Sequence, residues 1–301
     1  MSLMRHILNP WLRAVEKRRL RNGTPAQIRR ALEMQSRMLF RGPRGLKQVW
    51  CTYGEVSCLE VLPKNAAHDR VLFYIHGGGF VFGSPNSHSA LAAQLARRIG
   101  ARSVLPRYRL APEHPFPAAP DDVRAAWDGL IESGVDPKNI ALGGDSAGGA
   151  LAFGLVATLS AEGRAGPGIV FGFSPLTDLM YREESFNSNA EKGVLLPTNS
   201  AGKLVDMFLG VQSREHPSVS PLYGEFNEPP PAWMAVGDTE ILRDDALRLA
   251  ERLKAAGCDA SLVVEHDLPH VWPLFHNILP EARSTLDALA VWIRQQQNWE
   301  V

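Results

Sequence analysis

The sequence predicts an α/β protein with a mostly parallel sheet and helices on both of its faces. From residue 71 on, short apolar runs alternate with segments of helical character, which is the order typical of parallel strands joined by helices. Two glycine-rich segments each follow an apolar run directly, HGGGFVFG at 76–83 and GDSAGG at 144–149. The composition, 45% hydrophobic and 21% charged, is that of an ordinary globular protein, and 301 residues fit either one or two domains.

The individual elements follow from these runs and from the segments between them. The segment VWCTYGEVSCLEVL at 49–62 alternates in polarity, which predicts a leading hairpin of two strands and brings the strand total to eight. The six apolar runs predict strands at 71–75, 103–108, 140–144, 168–173, 232–236 and 261–265. The intervening segments predict helices at about 87–99, 121–133, 147–162, 243–256 and 281–297.

Two segments interrupt this alternation. At the N-terminus, Asn9-Pro10 and Thr24-Pro25 each place a capping residue before a proline, which predicts helices that begin at Pro10 and at Pro25. Thr24 and Gln27 also form a capping-box pattern. The second interruption is a connection of roughly 55 residues after SPLTDL, and a connection of that length is typical of a lid or an added layer.

Charge and cysteine content limit the function classes. Residues 1–47 carry twelve Lys or Arg against two acids, a balance of +10 that the remaining 20 basic and 30 acidic residues offset. The acidic remainder makes nucleic-acid binding a weak hypothesis. Three cysteines without metal-ligand spacing predict neither a disulfide framework nor a zinc site. No apolar stretch reaches 18 residues and no signal peptide is evident, so we expect a soluble, cytoplasmic protein without stable membrane insertion.

The strongest chemical motif is NIALGGDSAGG at 139–149. It places Ser146 in a G-x-S-x-G pattern between a predicted strand and a predicted helix, the setting in which a sharp turn exposes a nucleophilic hydroxyl. A phosphate cradle fits less well, because neither a Walker A pattern nor a strand-linked G-x-G-x-x-G pattern is present.

A serine nucleophile requires a base and an acid, which on this fold follow it in the order acid, then His. Of the histidines after the expected acid loop, His270 lies in a loop between Pro269 and Val271, and we choose it as the base. The acid lies in GDTEILRDD, and spacing alone leaves Asp238 and Glu240 as alternatives. A metal pair of His266 and His270 is disfavoured, because Pro269 opposes the required helix and no third ligand is evident.

Six motifs together resemble the hormone-sensitive-lipase-like (bacterial family IV) esterases of the α/β-hydrolase fold. They occur in the family's order and cover about residues 70–275. They are HGGGF at 76–80, YRLAPEHPFPAA at 108–119, GDSAGG at 144–149, SPLTDL at 174–179, ILRDD at 241–245 and LPHVWPLF at 268–275.

The resemblance implies a serine carboxylesterase acting on short to medium acyl chains, without a cofactor or metal. Within it, Ser146 is the nucleophile, His270 the base and Glu240 the acid, although many relatives have Asp at that position. The N–H groups of Gly77, Gly78 and Ala147 form the oxyanion hole. His76 and Asp145 are supporting residues. For His76, orientation of the glycine loop and a plain structural role are alternatives.

The resemblance also implies a domain organisation and partners. A helical cap is expected from residues 1–47 and 181–217, over a catalytic domain of residues 48–180 and 218–301. The partner is a small-molecule ester, and family members often form a homodimer through a sheet edge. Alternative functions are an interfacial lipase and a non-catalytic ligand-binding protein. The basic N-terminal helices are either a membrane-surface anchor or packed cap helices.

Further residues of these motifs have alternative roles. The residues of YRLAPE are expected to fix a buried turn rather than to touch substrate: Tyr108, Arg109, Pro112 and Glu113. Five large apolar residues line an acyl or alcohol pocket or belong to the core: Phe80, Phe82, Met207, Phe208 and Trp272.

Overall fold

A computed structural model describes residues 2–64 and 66–300 of the chain. Its centre is one eight-stranded sheet, and the predicted hairpin and all six predicted parallel strands are present. The strands, in chain order, are β1 (Lys47–Tyr53), β2 (Val56–Leu62), β3 (Ala67–Ile75), β4 (Ala101–Pro106), β5 (Ile140–Asp145), β6 (Ile169–Phe173), β7 (Ala232–Gly237) and β8 (Ala260–Glu265).

The sheet is parallel from β4 to β8 and antiparallel at one edge. Its order is β1-β2-β4-β3-β5-β6-β7-β8, with β1 antiparallel to β2 and β2 antiparallel to β4. In the parallel part, Ile75 pairs with Gly144, so β3 and β5 end side by side. The two glycine-rich segments that follow these strands therefore emerge next to each other, at the carboxyl edge where open α/β sheets bind ligands.

Helices cover both faces of the sheet, as the sequence predicts. Alternate residues of β3 enter different apolar cores, Phe73 on the side of α5, α6 and α9 and Tyr74 on the side of α4 and α10. Burial on both faces explains why this strand reads as a continuous apolar run rather than an alternating one. The helices of the sheet layer are α4 (Pro85–Ile99), α5 (Ala118–Glu132), α6 (Ala147–Ala161), α9 (Arg243–Ala255) and α10 (Pro280–Gln297).

Five further helices lie in the two interrupting segments. Hydrogen bonds from Lys17 connect the two segments. Lys17 Nζ donates to the carbonyl oxygens of Ala190, at 2.8 Å, and Gly193, at 2.7 Å. No described helix combines the length and the apolarity that a membrane span needs. The helices are α1 (Met4–Trp11), α2 (Lys17–Asn22), α3 (Pro25–Leu39), α7 (Glu184–Ser188) and α8 (Thr198–Leu209).

One of the two predicted helix starts is confirmed and one is wrong. The capping box of Thr24 and Gln27 opens α3. The other helix begins at Met4 and contains Pro10, instead of beginning at it. Asn9 is buried and donates from Nδ2 to the carbonyl of Asp267 at 3.2 Å, so tertiary contact replaces the expected capping role. Because Pro10 lacks an N–H, the helix loses one internal hydrogen bond there, and a wider π-helical turn over Leu12–Glu16 follows.

Candidate active site

Ser146 occupies a strained turn between β5 and α6. Its φ is 51° and its ψ is −119°, a conformation that costs energy for a residue with a side chain. The turn is tight because α6 begins immediately at Ala147 and because Gly148 passes close to β3. A Cβ on Gly148 would lie 2.1 Å from the carbonyl oxygen of Ile75. The G-x-S-x-G spacing thus satisfies a packing requirement while it lifts the hydroxyl out of the strand.

The glycine loop after β3 presents backbone to the same pocket as Ser146. Gly78 and Gly79 line this pocket, with φ of 121° and 57°. Neither of their N–H groups has a backbone or side-chain acceptor among the described residues. Gly77 is different, because its N–H donates to Asp145 Oδ1 at 3.1 Å and it does not line the pocket. The single N–H of Gly77 is thus paired with Asp145, which speaks against the expectation that this N–H contributes to an oxyanion hole.

His76 lies beneath the glycine loop, away from the pocket. Its Nδ1 donates to the carbonyl of Gly77 at 2.8 Å, and its ring stacks on Tyr108 with centroids 4.2 Å apart. Burial, with a contribution from His88, lowers the pKa of His76 to about 3, so the imidazole is neutral at physiological pH. Of the two alternatives for His76, these contacts favour orientation of the loop.

Asp145 is the second residue that the sequence predicts to support the site. It is buried and accepts hydrogen bonds from the Tyr74 hydroxyl at 2.8 Å and from the N–H of Gly77. His88 Nε2 lies 3.4 Å from its other oxygen. Asp145 therefore fixes the position of the glycine loop relative to Ser146, the residue that follows it in the chain.

His270 and Glu240 form a buried pair at the pocket. His270 Nδ1 lies 2.5 Å from Glu240 Oε2, and Glu240 is 4% exposed. The bonded carboxylate favours the proton on Nδ1 and leaves Nε2 able to accept one. His270 and Ser146 line the same pocket, although no hydrogen bond joins their side chains among the described residues. Such contacts often tighten only when substrate binds.

The two acids that spacing alone could not distinguish, Asp238 and Glu240, bond to different histidines. Asp238 pairs with His266 instead, with 2.7 Å between Oδ2 and Nδ1, and its other oxygen accepts the N–H of Asp267 at 2.8 Å. Burial acts to raise the pKa of Asp238, but hydrogen bonds from Asp267 and His266 outweigh it and the pKa is lowered overall. Asp238 thus forms a separate, half-exposed pair on the same loops and makes no hydrogen bond or ion pair with His270.

Two residues that the sequence analysis did not single out hold the acid loop. Ser174 Oγ donates to Glu240 Oε1 at 2.8 Å and accepts the N–H of Val271 at 3.0 Å. Asn189 Nδ2 donates to the carbonyls of Asp238 and Glu240, at 3.0 and 2.9 Å. Ser174 opens the quoted motif SPLTDL, which was a signal available in the sequence, whereas Asn189 lies in the long insertion and carries none.

The pocket above Ser146 is mainly apolar and is covered by the two interrupting segments. Residues of both segments line it together with the glycine loop and His270. The lining from the N-terminal helices includes Trp11, Leu12, Ile28, Leu32, Leu39 and Phe40. The lining from the insertion includes Tyr181, Leu195, Leu196, Ala201, Leu204 and Val205.

Of the five large apolar candidates, Phe80 and Phe82 line the pocket. Phe208 is buried behind it and stacks on Phe80 with centroids 4.0 Å apart. Met207 is 39% exposed, and Trp272 belongs to the core, where its Nε1 donates to Thr285. Phe208 and Trp272 are therefore core residues and Met207 is a surface residue, and none of the three lines the pocket.

The residues of the YRLAPE motif that form side-chain contacts bond to other parts of the protein and lie outside the pocket, as expected for a structural role. Tyr108 is buried against His76, and Arg109 pairs with Asp122 on the surface. Glu113 forms a two-fold contact with Arg29 of α3. None of these residues lines the pocket in the described part of the chain.

Metal-ligand geometry is absent from the described residues, in which no three His, Cys, Asp or Glu side chains could hold a metal ion together. The three cysteines are free thiols.

Comparison with known proteins places this arrangement in a family. A family model described as alpha/beta hydrolase fold matches residues 72–274. An acetyl-hydrolase of Streptomyces hygroscopicus is 34% identical over 225 residues, 75% of each chain. An esterase of Acinetobacter venetianus is 32% identical over 233 residues, 77% of each chain. The crystal structure of an esterase from the bacterial hormone-sensitive lipase family is 34% identical, with a TM-score of 0.92 over 99% of both chains. The chain belongs to this bacterial hormone-sensitive lipase family of α/β-hydrolases.

Proposed function

We propose that the protein is a serine carboxylesterase that hydrolyses esters of short to medium acyl chains. The observation that carries the proposal is the His270–Glu240 pair, buried at the pocket that also contains the strained Ser146. The Streptomyces hygroscopicus relative, named an acetyl-hydrolase, supports a short acyl group.

The reaction proceeds by two acyl transfers. His270 Nε2 takes the proton of Ser146 as Oγ attacks the ester carbonyl, and the protonated imidazole then gives that proton to the departing alcohol. Water, deprotonated by the same nitrogen, attacks the acyl-enzyme. The carboxylic acid leaves and Ser146 recovers its proton. Glu240 keeps the imidazole in the tautomer that accepts at Nε2 and stabilises the imidazolium, without itself taking the proton.

The tetrahedral intermediate places negative charge on the former carbonyl oxygen. We assign its stabilisation to the N–H groups of Gly78, Gly79 and Ala147, with Gly79 in place of Gly77. Gly78 and Gly79 line the pocket and their N–H groups have no acceptor among the described residues, while the N–H of Ala147 lies in the first turn of α6, where helix N–H groups lack internal partners. Loss of one such donor costs about 100- to 1000-fold in rate.

The decisive experiment is hydrolysis of p-nitrophenyl esters of increasing acyl length by the wild type and by Ser146→Ala. We expect activity that is highest on short or medium chains and is lost in the variant, while Ser160→Ala, on the surface end of α6, retains it. Absence of activity on every ester, or full activity of Ser146→Ala, would refute the proposal. Activity confined to long chains above their solubility limit would instead indicate a lipase.

The location and the assembly state are also proposals. Three free thiols suit a reducing compartment, which favours the cytoplasm. A homodimer through a sheet edge is the expected assembly, and light scattering at micromolar concentration tests it.

A further inference from the structure

The N-terminal helices expose an unusual number of large apolar side chains. Leu3, Ile7 and Trp11 are spaced four residues apart, which places them on one side of α1, with exposures of 79%, 66% and 38%. Met34 and Met38 repeat the spacing on α3, at 54% and 66%. With Met4, these residues form what we call the outer cap face. They are half of the large hydrophobic residues exposed in the described part of the chain.

Positive charge surrounds this apolar surface. Exposed arginines lie on α2 and α3, and among the described residues none of the following forms an ion pair: Arg18, Arg21, Arg30 and Arg37. The only acids of residues 1–47 are directed elsewhere. Glu16 lines the pocket and binds Arg19, and Glu33 bonds to Ser84 of the catalytic domain. The surface is therefore apolar and cationic at once.

α3 meets the helical turn that follows α1 at the pocket. Gln35 of α3 donates to Glu16 at 2.6 Å, and both residues line the pocket together with Leu12 and Leu32. Apart from Trp11, which lies at the edge of the pocket, no residue of the outer cap face lines the pocket, so these exposed side chains face solvent.

We propose that the outer cap face docks reversibly on membranes rich in anionic lipid. The combination of exposed Leu, Ile, Met and Trp with flanking arginines is the pattern of helices that lie in the headgroup layer. The charge complementarity selects an anionic bilayer over a second copy of this face, since two copies would bring unpaired arginines together. Docking places the helices that roof the ester pocket against the phase in which apolar esters concentrate.

Vesicle sedimentation tests the proposal without reference to catalysis. We expect the wild type to pellet with vesicles of 3:1 phosphatidylcholine to phosphatidylglycerol, to remain in solution with phosphatidylcholine alone, and to be released by 0.5 M NaCl, because salt screens the attraction to the headgroups.

Two pairs of substitutions separate the apolar and the charged contributions. Ile7→Glu with Met38→Glu, and separately Arg30→Glu with Arg37→Glu, should each lower the vesicle partition coefficient by about tenfold or more. None of these four residues lines the pocket, so hydrolysis of p-nitrophenyl acetate in solution should stay at the wild-type rate. The matched control is Val291→Glu on α10, a 44% exposed position outside the cap, which should bind vesicles like the wild type.

The proposal is overturned if the wild type ignores anionic vesicles, or if both double variants, folded by circular dichroism, bind as well as the wild type. It is also overturned if the wild type elutes as a dimer that Ile7→Glu with Met38→Glu converts to a monomer while vesicle binding is absent. In that case the outer cap face is a contact between copies of the chain.

Discussion

At the residue scale, the identity of the acid rests on hydrogen bonds rather than on spacing. Glu240 has both oxygens engaged, Oε2 by His270 and Oε1 by Ser174 and by the N–H of Gly237 at 2.6 Å. Gly237, whose N–H binds this carboxylate, has no room for a side chain of its own. A Cβ there would lie 2.5 Å from the carbonyl of Leu268.

Glu240→Gln should lower kcat by about 10³- to 10⁴-fold, because the amide cannot stabilise the imidazolium and disturbs the tautomer of His270. Asp238→Asn is the matched control, since it alters a carboxylate on the same loop that bonds His266 instead. Its kcat should fall by no more than a few-fold. Steady-state kinetics on one p-nitrophenyl ester compares them, and a crippling effect of Asp238→Asn would contradict the assignment.

The backbone conformation of Gly78 leaves no room for a side chain, from which we predict the effect of a substitution. Its φ is 121°, and a Cβ would lie 2.0 Å from the carbonyl oxygen of Phe82. Gly78→Ala should therefore displace the loop and lower kcat by about 100-fold or more, with a smaller change in KM. Gly134→Ala provides the control, because its φ of 97° imposes similar strain but no atom lies within 4 Å. Equal activity of the two variants would show that the close approach at Gly78 is unimportant.

His76 predicts an acid-dependent loss of stability. Its pKa is near 6.5 in the unfolded chain and about 3 in the folded protein, so the unfolded state binds more protons between these values. Stability from this group is complete above pH 6.5 and falls as the pH drops toward 3, by at most about 1.4 kcal/mol per pH unit. Urea unfolding at pH 7, 5.5 and 4.5 should show a shallower decline for His76→Asn than for the wild type. Parallel declines would exclude this contribution.

At the scale of elements, α3 is clamped to the loops that surround the site. Arg29 donates to the carbonyls of Val81 and Ala111, both at 2.7 Å, and to the carboxylate of Glu113. The carbonyl of Val81 belongs to the segment that follows the glycines, so this arginine links a cap helix to the proposed oxyanion donors.

Arg29→Ala should leave two carbonyls without their donor, loosen the glycine loop and reduce kcat by several-fold, with a loss of about 1–3 kcal/mol in unfolding free energy. Arg124→Ala is the control, since its pairs with Asp128 and Glu162 lie on α5 and α6, away from the pocket. It should leave kcat unchanged. Urea unfolding and ester kinetics measure both effects, and an unchanged kcat in Arg29→Ala would show that the clamp does not reach the loop.

At the scale of the whole molecule, two segments about 170 residues apart form one cover over the pocket. Lys17 joins them, and burial lowers its pKa, although the ammonium still donates to two carbonyls. Arg13 adds a bond to the carbonyl of Lys192 at 2.9 Å. Part of the positive charge of the N-terminus is thus used in backbone contacts within the protein.

Lys17→Ala should destabilise the cover by about 1–3 kcal/mol and speed limited proteolysis within residues 181–217, because the carbonyls of Ala190 and Gly193 lose their donor. The exposed Lys203 on α8 supplies the control, Lys203→Ala, for which both measurements should match the wild type. Unchanged proteolysis in Lys17→Ala would mean that the apolar contacts alone hold the two segments together.

Much of this molecule is predictable from local sequence patterns. The strands of the sheet, the capping box at Thr24 and the turn around Ser146 depend on residues close together in the chain, and propensity and periodicity describe such interactions well. The motif spacing also predicts His270 as the partner of the acid.

The prediction that a helix begins at Pro10, with Asn9 as its capping residue, is wrong because the start of this helix depends on distant contacts. Its capping pattern is sound locally, but the buried bond to the carbonyl of Asp267, more than 250 residues away, favours continuation of the helix through Pro10. Contacts at that sequence distance leave no periodic signal, so local reasoning cannot detect them.

The sequence by itself determined the α/β class and the strand order along the chain, and it predicts Ser146 and His270 as the reactive residues. Spacing left Asp238 and Glu240 open and the family resemblance favoured Glu240, but only the tertiary structure shows that Glu240 bonds to His270. Only the tertiary structure likewise shows that, among the described residues, Gly79 rather than Gly77 has an N–H without an acceptor, and that Asn189 holds the acid loop. Each of these depends on which of several neighbouring groups meets a partner from a distant strand or loop. That selection is made by the packing of the whole chain, since the competing groups are equivalent in their local sequence.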